Sequence, residues 1–547
     1  MPFEAHVVVV GAGPVGTSLA IDAAMRGLNV VVIEQRAADD PADAKCNTIA
    51  ARTMETFRRF GIADEVRAAG LPSDYPTDTL FATSLSGPEL TRIKLPSRAE
   101  RQHAGFVDSE WPSPERMVRQ SQLWLEPILR RRLLSLPNVR LVDRTSVTSF
   151  SQDEEGVTAR CIPVGAGAAE AFDIRASFLV GCDGGASTIR KQLGVRLVGD
   201  AEIARTRTTL INSSGVRSLF GERRPAWMTW VANHNIRGNV VAIDGQELWL
   251  VHRALPQNAT DFTAIDLDQS IRDVLGVDGE FDFEIVRHED WIGRRLVASR
   301  FRDGRVFLAG DAAHLWVPYA GYGMNAGIAD ATHLAWLLSA VLRGWGHEGI
   351  LDAYEAERLP ITDQVSRFVM AKMEENSRAL ADRAIPKMLS SNHWPGRLLR
   401  RRIGARIHAI NVEQMAPEGL NFGYFYDDSP IIIRGADEEP PAYSMGAHTA
   451  STIPGCRVPH FIIDGVSIID LLGPDYTLLR FDPRVEISGM LDGALPMTLV
   501  DVPGPPSEEF EHALLIVRAD AHIAWRGDSL PARSDDLIQQ LRGQHTA

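Results

Sequence analysis

The start of the chain constrains it most. His6 to Val10 is a β-branched run, and Gly11-Ala-Gly13-Pro14-Val15-Gly16 follows it directly. Thr17 to Arg26 carries Leu19, Ala20, Ala23 and Ala24 at helical spacing, and Gly27 stops it. Asn29 to Ile33 is a second β-branched run, closed by Glu34 and Gln35. Such runs, without polar alternation, read as strands buried on both faces. With a helix between them they form a βαβ unit. At its turn the glycines allow a tight bend and let a pyrophosphate approach the helix N-terminus. Glu34, at the end of the second strand, accepts hydrogen bonds from ribose hydroxyls. A plain strand-to-helix turn accounts for the glycines but not for the acid at this spacing. The acid does not separate FAD from NAD.

The rest of the chain must be built around that unit. Its 547 residues suggest two to four domains. A hydrophobic content of 45% supplies a large core. The net charge of −14 argues against nucleic acid or anionic lipid as a partner. Cys46, Cys161, Cys182 and Cys456 are scattered, which excludes a disulfide scaffold and a structural metal site. Ala5 to Ile21 is apolar, but Glu4 and the glycines break any resemblance to a signal or a spanning helix. These features predict a cytoplasmic protein with no membrane segment.

Two more glycine-rich turns follow. Phe178-Leu-Val-Gly-Cys-Asp183-Gly184 leads to Ser187 and Arg190. Arg305-Val-Phe-Leu-Ala-Gly310-Asp311-Ala-Ala-His314 leads to Pro318, Gly321, Tyr322, Gly323, Met324 and Asn325. Each is a strand ending in Gly or Asp; the second runs into a helix to about Leu342. A carboxylate at Asp311 suits a ribityl hydroxyl, and a helix starting near Asn325 points its positive end at a flavin ring.

These three motifs, in this order, resemble those of the single-component flavoprotein aromatic hydroxylases, the p-hydroxybenzoate hydroxylase fold. Arg52-Thr-Met-Glu55 and Gln122 with Glu126 match two further helix starts of that family. Tyr424 to Pro430 and Val517 to Arg526 resemble its phenol hydroxylase branch, which carries a C-terminal thioredoxin-like domain. The resemblance implies an α/β fold in which a Rossmann-like FAD-binding domain (1–200 and 296–415, the latter with a helical region) holds an inserted, mostly antiparallel β substrate domain (201–295). A linker (416–450) and the thioredoxin-like domain (451–547) complete it. That last domain lacks CxxC, so a structural or dimer-supporting role is expected.

The resemblance assigns roles by position. Gly11, Gly13, Pro14, Val15 and Gly16 hold the pyrophosphate of a non-covalent FAD, with Glu34 and Gln35 at the adenosine ribose. Arg52 and Gln122 contact pyrophosphate or ribityl, and Lys45 stands where the family has arginine. Asp183, Gly184 and Asp311 serve FAD, and Gly321, Gly323, Met324 and Asn325 face its ring. Pro318 and Tyr322 are candidates beside the reacting atoms, Tyr322 replacing a common glutamine. Asp108 and His103 are candidate bases for a phenol. His314 reads as a structural hydrogen-bonding residue. Trp227, Trp230, Trp249 and His252 either line a pocket or pack a sheet.

The implied activity is hydroxylation of a phenolic aromatic compound with NADH or NADPH and O₂, through an FAD C4a-hydroperoxide, by a homodimer. Two alternatives stand beside it: Baeyer–Villiger or another oxygenation of a polycyclic metabolite on the same fold, and a non-enzymatic flavoprotein that binds a partner through its last domain.

Overall fold

A computed structural model describes residues 5–42, 44–45, 47–101, 103–165, 170–233, 236–255, 266–316, 321–381, 387–391, 393–491 and 493–544. Pro318 lies outside them. The valines of Ala5–Val10 and Val30–Ile33 are all buried, as a strand covered on both faces requires. They lie inside an eight-stranded sheet in the order Arg302–Asp303, Val306–Leu308, Phe172–Gly181, Ala5–Val10, Val30–Ile33, Val139–Val142. Thr145–Gln152 and Val157–Pro163 extend it through antiparallel pairing on Phe172–Gly181. From Val306–Leu308 to Val139–Val142 the neighbours run parallel. Val10 stands opposite Ile33 and Gly181, and Gly181 opposite Leu308. Four strands thus end level, and every glycine turn leaves from one edge. That edge is where open parallel sheets bind ligands.

Two helices cover this edge, Pro14–Met25 and Gly323–Leu342. They approach closely because Gly327 has no side chain. A Cβ there would lie 2.6 Å from Val15 Cγ2 and 3.0 Å from Gly310 Cα.

The second sheet also has eight strands and reaches beyond 201–295. Its order is His314–Leu315, Glu284–Ala298, Leu197–Asn212, Leu248–Ala254, Arg237–Ala242, Met228–Ala232, Thr79–Ala82, Glu89–Ile93. The last two strands come from a segment with no strand signal. Thr79-Leu-Phe-Ala is short and buried throughout, so it shows no alternation. It pairs antiparallel with nearby Glu89–Ile93 and in parallel with Met228–Ala232, and the second, long-range partner ties this hairpin into the sheet. Helix Leu267–Leu275 packs on one face of this sheet with Tyr75, Leu85 and Trp249.

The C-terminal module is a four-stranded sheet in the order Met497–Asp501, Tyr476–Arg480, Leu514–Arg518, Ile523–Gly527, with helix Ser534–Leu541 against it. Its Cys456 is buried, which pushes the thiol up to about 11 and makes it a poor nucleophile at neutral pH. Segment 416–450, read as a linker, is packed instead. Leu420, Tyr424, Tyr426, Ile432 and Met445 are buried in one cluster with Tyr322, Ile361 and Val365. Prolines and acids marked it as extended chain; its aromatic side chains make it part of the core. Among the described residues, no helix is long and apolar enough to cross a membrane.

Candidate active site

The first glycine turn is shaped by backbone contact. Gly11 has φ 105°, and a Cβ on it would lie 2.4 Å from the Cys182 carbonyl oxygen. A Cβ on Gly16 would lie 2.0 Å from the Gly11 carbonyl oxygen. Gly13 differs, since nothing stands within 4 Å of its Cβ position. It is the N-cap of helix Pro14–Met25 and offers no side-chain cap; Pro14 begins the helix. The first N–H groups of the helix therefore face an open side, the arrangement that accepts a phosphate. Val15 packs against Gly310 and Gly327 and so positions the turn.

Glu34 is buried at the next strand end. Its Oε2 accepts the Ala12 N–H at 2.6 Å and its Oε1 the Arg36 N–H at 2.9 Å. Arg36 also reaches Glu126 at 3.3 Å, and Gln122 donates to Glu126. Gln122 thus acts on the Glu34 region through two intermediaries. Gln35 is exposed.

Asp311 sits between buried Gly310 and Ala312, yet its own side chain is open to solvent. Desolvation by the walls around it raises its carboxyl from the ordinary aspartate value, while His314 and Lys45 pull it down. Lys45 is also 3.4 Å from Glu289 of the second sheet. Helix Gly323–Leu342 begins at Tyr322 without a side-chain cap, and a Cβ on Gly323 would meet nothing within 4 Å. Met324 packs partly into the core. Asn325 is committed elsewhere. Its Oδ1 accepts the Ala50 N–H at 2.8 Å, and its Nδ2 donates to the carbonyls of Thr48 (3.0 Å) and Gly321 (2.7 Å). The side chain fixes the loop; the backbone amides of the helix start remain for a ligand.

Asp183 is a helix cap. It accepts the Ser187 hydroxyl at 2.5 Å and the N–H groups of Thr188 (2.7 Å) and Ile189 (3.2 Å). Gly184, at φ 76°, turns the chain beside it, and Arg190 ties this loop to the Ala312 carbonyl at 2.9 Å. His314 is structural: Nε2 is 2.7 Å from Asp330, which also accepts the Gly310 N–H and pairs with Arg358 at 2.8 Å. Asp330 had not been singled out. A lone carboxylate inside the apolar run Ile328-Ala-Asp-Ala was its signal, because a buried charge needs partners.

Three expectations meet other surroundings. Arg52 does not turn to the glycine loop. Its guanidinium donates to the Asp520 carbonyl at 2.9 Å and lies over the Tyr424 ring at 4.4 Å, because helix Ala51–Arg59 presents this residue to the C-terminal module. Tyr322 is buried, and its hydroxyl donates to the Leu420 carbonyl at 2.9 Å. His103 is exposed; Asp108 is buried and interacts with Arg101, in a loop that packs Trp111 on Phe422. No described contact brings either of these two to the glycine turns.

Two uncapped helix starts, an open carboxylate at Asp311 and a buried one at Glu34 suit pyrophosphate, ring, ribityl and ribose in turn. A family model for an FAD binding domain matches residues 4–369. The chain belongs to the FAD binding domain family. It is 29% identical to an FAD-dependent monooxygenase of Emericella nidulans, over 98% of this chain and 90% of that one. With the 2,4-dichlorophenol 6-monooxygenase of Cupriavidus pinatubonensis it shares 28%, over 99% and 96%. The solved structure of the rebeccamycin biosynthetic enzyme RebC with reduced flavin superposes with a TM-score of 0.87, at 31% identity over 100% of both chains. The protein is an FAD-dependent monooxygenase, and FAD is its cofactor.

In this flavoprotein the second sheet reaches toward Asp311 through Lys45, which pairs with Glu289 at 3.4 Å. Strand register sets Asn239 opposite His252, His252 opposite Thr208, and Thr208 opposite Glu289. Directly opposed residues share a face. Lys45 joins the end of this row to the Asp311 side, so the row lies on the face toward the flavin crevice. Arg253, one residue further along the strand, points the other way, to Asp273 of helix Leu267–Leu275. His252 Nδ1 is 2.7 Å from Thr208 Oγ1, which accepts the Trp291 indole N–H at 2.9 Å. Burial pushes His252 down to about 4, so the ring is neutral at pH 7. The Asn239 amide oxygen is buried and has no hydrogen-bond partner.

Proposed function

We propose that this monooxygenase hydroxylates a phenolic aromatic substrate, with NADH or NADPH as reductant and O₂ as the oxygen source. The observation that carries this reading is the buried, unpartnered oxygen of Asn239, with neutral His252 directly opposite. A buried acceptor without a donor costs about 1–3 kcal/mol, and a substrate hydroxyl would relieve that cost. The substrate O–H donates to Asn239. With its Nδ1 on the Thr208 hydroxyl, His252 presents Nε2–H to the same substrate oxygen. Both contacts fix the ring, and the second favours oxygen bearing negative charge, which makes the ring a better nucleophile. When bound, FAD supplies reduction by the nicotinamide and activation of oxygen. The chain holds the dinucleotide at Gly13 and Glu34, keeps the helix start at Gly323 toward the ring, and excludes water with the second sheet. The reading includes a homodimer braced by the C-terminal module; Met388, Trp394 and Leu398 are exposed apolar side chains that a second copy would cover.

Likeness to RebC over the whole chain supports a second reading, oxygenation of a polycyclic metabolite, Baeyer–Villiger insertion included. The test is a screen of phenols and polycyclic ketones for stimulated NAD(P)H consumption, with products read by mass. With an accepted phenol, Asn239→Leu should lower the yield of product per NAD(P)H about tenfold or more, with peroxide rising to match, since the lost contact is worth about 1–3 kcal/mol. Unchanged coupling removes Asn239 from the substrate site.

A further inference from the structure

A cavity of about 210 Å³ lies between helix Ala51–Arg59, helix Gly323–Leu342 and the C-terminal module, and touches the third glycine turn only through Tyr322 and Asn325, on the side of the helix opposite Gly327. Neither Gly11, Gly13, Glu34 nor Asp311 lines it. Its walls carry five arginines against three carboxylates, Glu55, Asp470 and Asp520. Four of the arginines already have carboxylate partners. Arg26 pairs with Asp22 at 3.0 Å, Arg58 with Asp470 at 2.6 Å, Arg59 with Asp22 at 2.7 Å and Arg457 with Glu55 at 2.7 Å.

Arg52 is the exception. Among the described residues no carboxylate lies in ion-pair reach of it. Its Nη2 donates to the Asp520 backbone and stands 3.3 Å from His522 Nδ1, and its Nη1 has no hydrogen-bond partner. The nearby Asp520 carboxylate is taken by Arg518 at 2.9 Å and His522 at 3.1 Å. An unmatched guanidinium is costly in a cavity between domains unless an anion joins it. The remaining walls mix polar Thr53, Asn325 and His333 with Tyr424, Tyr426 and Ile328. A planar fork beside ring-bearing walls fits a carboxylate attached to a single ring.

We propose that this interface holds a binding site for a small aromatic carboxylate, separate from the flavin crevice, with Arg52 as its anion-binding residue. The ligand is a second molecule beside the hydroxylated substrate. It bridges the flavin domain and the C-terminal module, because the walls of the cavity come from both.

The test uses the FAD-loaded full chain and 4-bromobenzoate. Calorimetric titration at constant ionic strength should show saturable binding, weakened at least tenfold in Arg52→Gln. A crystal soaked with the compound should give a bromine anomalous peak beside Arg52 and Tyr424. That second measurement needs no variant and stands if Arg52→Gln fails to fold. Three results overturn the proposal: no saturable binding, bromine found only at the flavin crevice, or inorganic phosphate saturating the site while 4-bromobenzoate does not.

Discussion

Asp311 and Glu34 are both acids at the ends of parallel strands, and their surroundings divide the labour. Glu34 is buried and accepts two backbone N–H groups, so it shapes the turn. Asp311 is open, held in the crevice with its carboxyl raised by the protein around it, and a ribityl hydroxyl can still claim it. Asp311→Ala should weaken FAD about ten- to hundredfold, since a hydrogen bond to a charged group is worth about 1.5–3 kcal/mol. Fluorescence titration of the apoprotein with FAD measures this, and unchanged affinity would take Asp311 out of the flavin site. Tyr322 shows where reading residues by motif position stops. The glycines on either side suggest a backbone that approaches a ligand; the Leu420 carbonyl, ninety-eight residues away, decides where its hydroxyl goes. Tyr322→Phe should therefore leave the coupling of NAD(P)H oxidation to product nearly unchanged and lower stability by about 1 kcal/mol. A large rise in peroxide in this variant would return Tyr322 to the catalytic surface.

The elements nearest the flavin were the most legible, because local chemistry dictates them. The buried strands expected over His6 to Val10 and Asn29 to Ile33 run over Ala5–Val10 and Val30–Ile33, and helix Gly323–Leu342 starts two residues before the expected Asn325. Glycine spacing, the acid at Glu34 and buried valine runs are all short-range signals. Thr79–Ala82 and the buried packing of 416–450 were not legible, because the strand is too short and buried to alternate, its sheet partner Met228–Ala232 and the neighbours of 416–450 lie far along the chain, and no local pattern names them. The same distinction holds for Asp330, which links His314 and Arg358 through contacts that only the fold creates. Between these extremes stands the crossing of the two flavin helices at Gly327, which neither helix reveals alone. Gly327→Ala inserts a methyl group against Val15 and Gly310, and overpacking of this kind costs about 1–3 kcal/mol. Urea unfolding should show that loss, together with weaker FAD binding as the first glycine turn is displaced. Wild-type values for both would mean that the helices separate freely there.

Across the whole molecule, a buried ionic cluster joins the C-terminal module to the flavin domain. Arg518 pairs with Glu357 at 2.7 and 2.9 Å, both side chains without solvent contact, and His333 and His522 lie beside them. Burial holds His522 down at about 3 and His333 well below its usual value. Both are neutral in the folded protein, while the unfolded chain binds their protons from about pH 6.5 downward. Stability is thus fully present above pH 6.5 and falls as pH drops toward 3, by up to about 1.4 kcal/mol per pH unit for each histidine. Glu357, whose carboxyl burial raises, opposes this between its raised value and its ordinary one, a single group against two histidines. Urea midpoints should therefore decline steadily from pH 7 to pH 5; a flat profile would falsify the assignment. The level strand ends carry a further consequence, for synthesis. Gly16 and Gly323 belong to one crevice but are separated by roughly three hundred residues, which a ribosome adds at about 5–20 per second. For some tens of seconds the nascent chain therefore carries its valine-rich strands Ala5–Val10 and Val30–Ile33 without the Gly323–Leu342 helix that packs on Pro14–Met25 beside them. During that interval the flavin has no finished crevice to enter, so the cofactor joins a chain whose first strands were made long before.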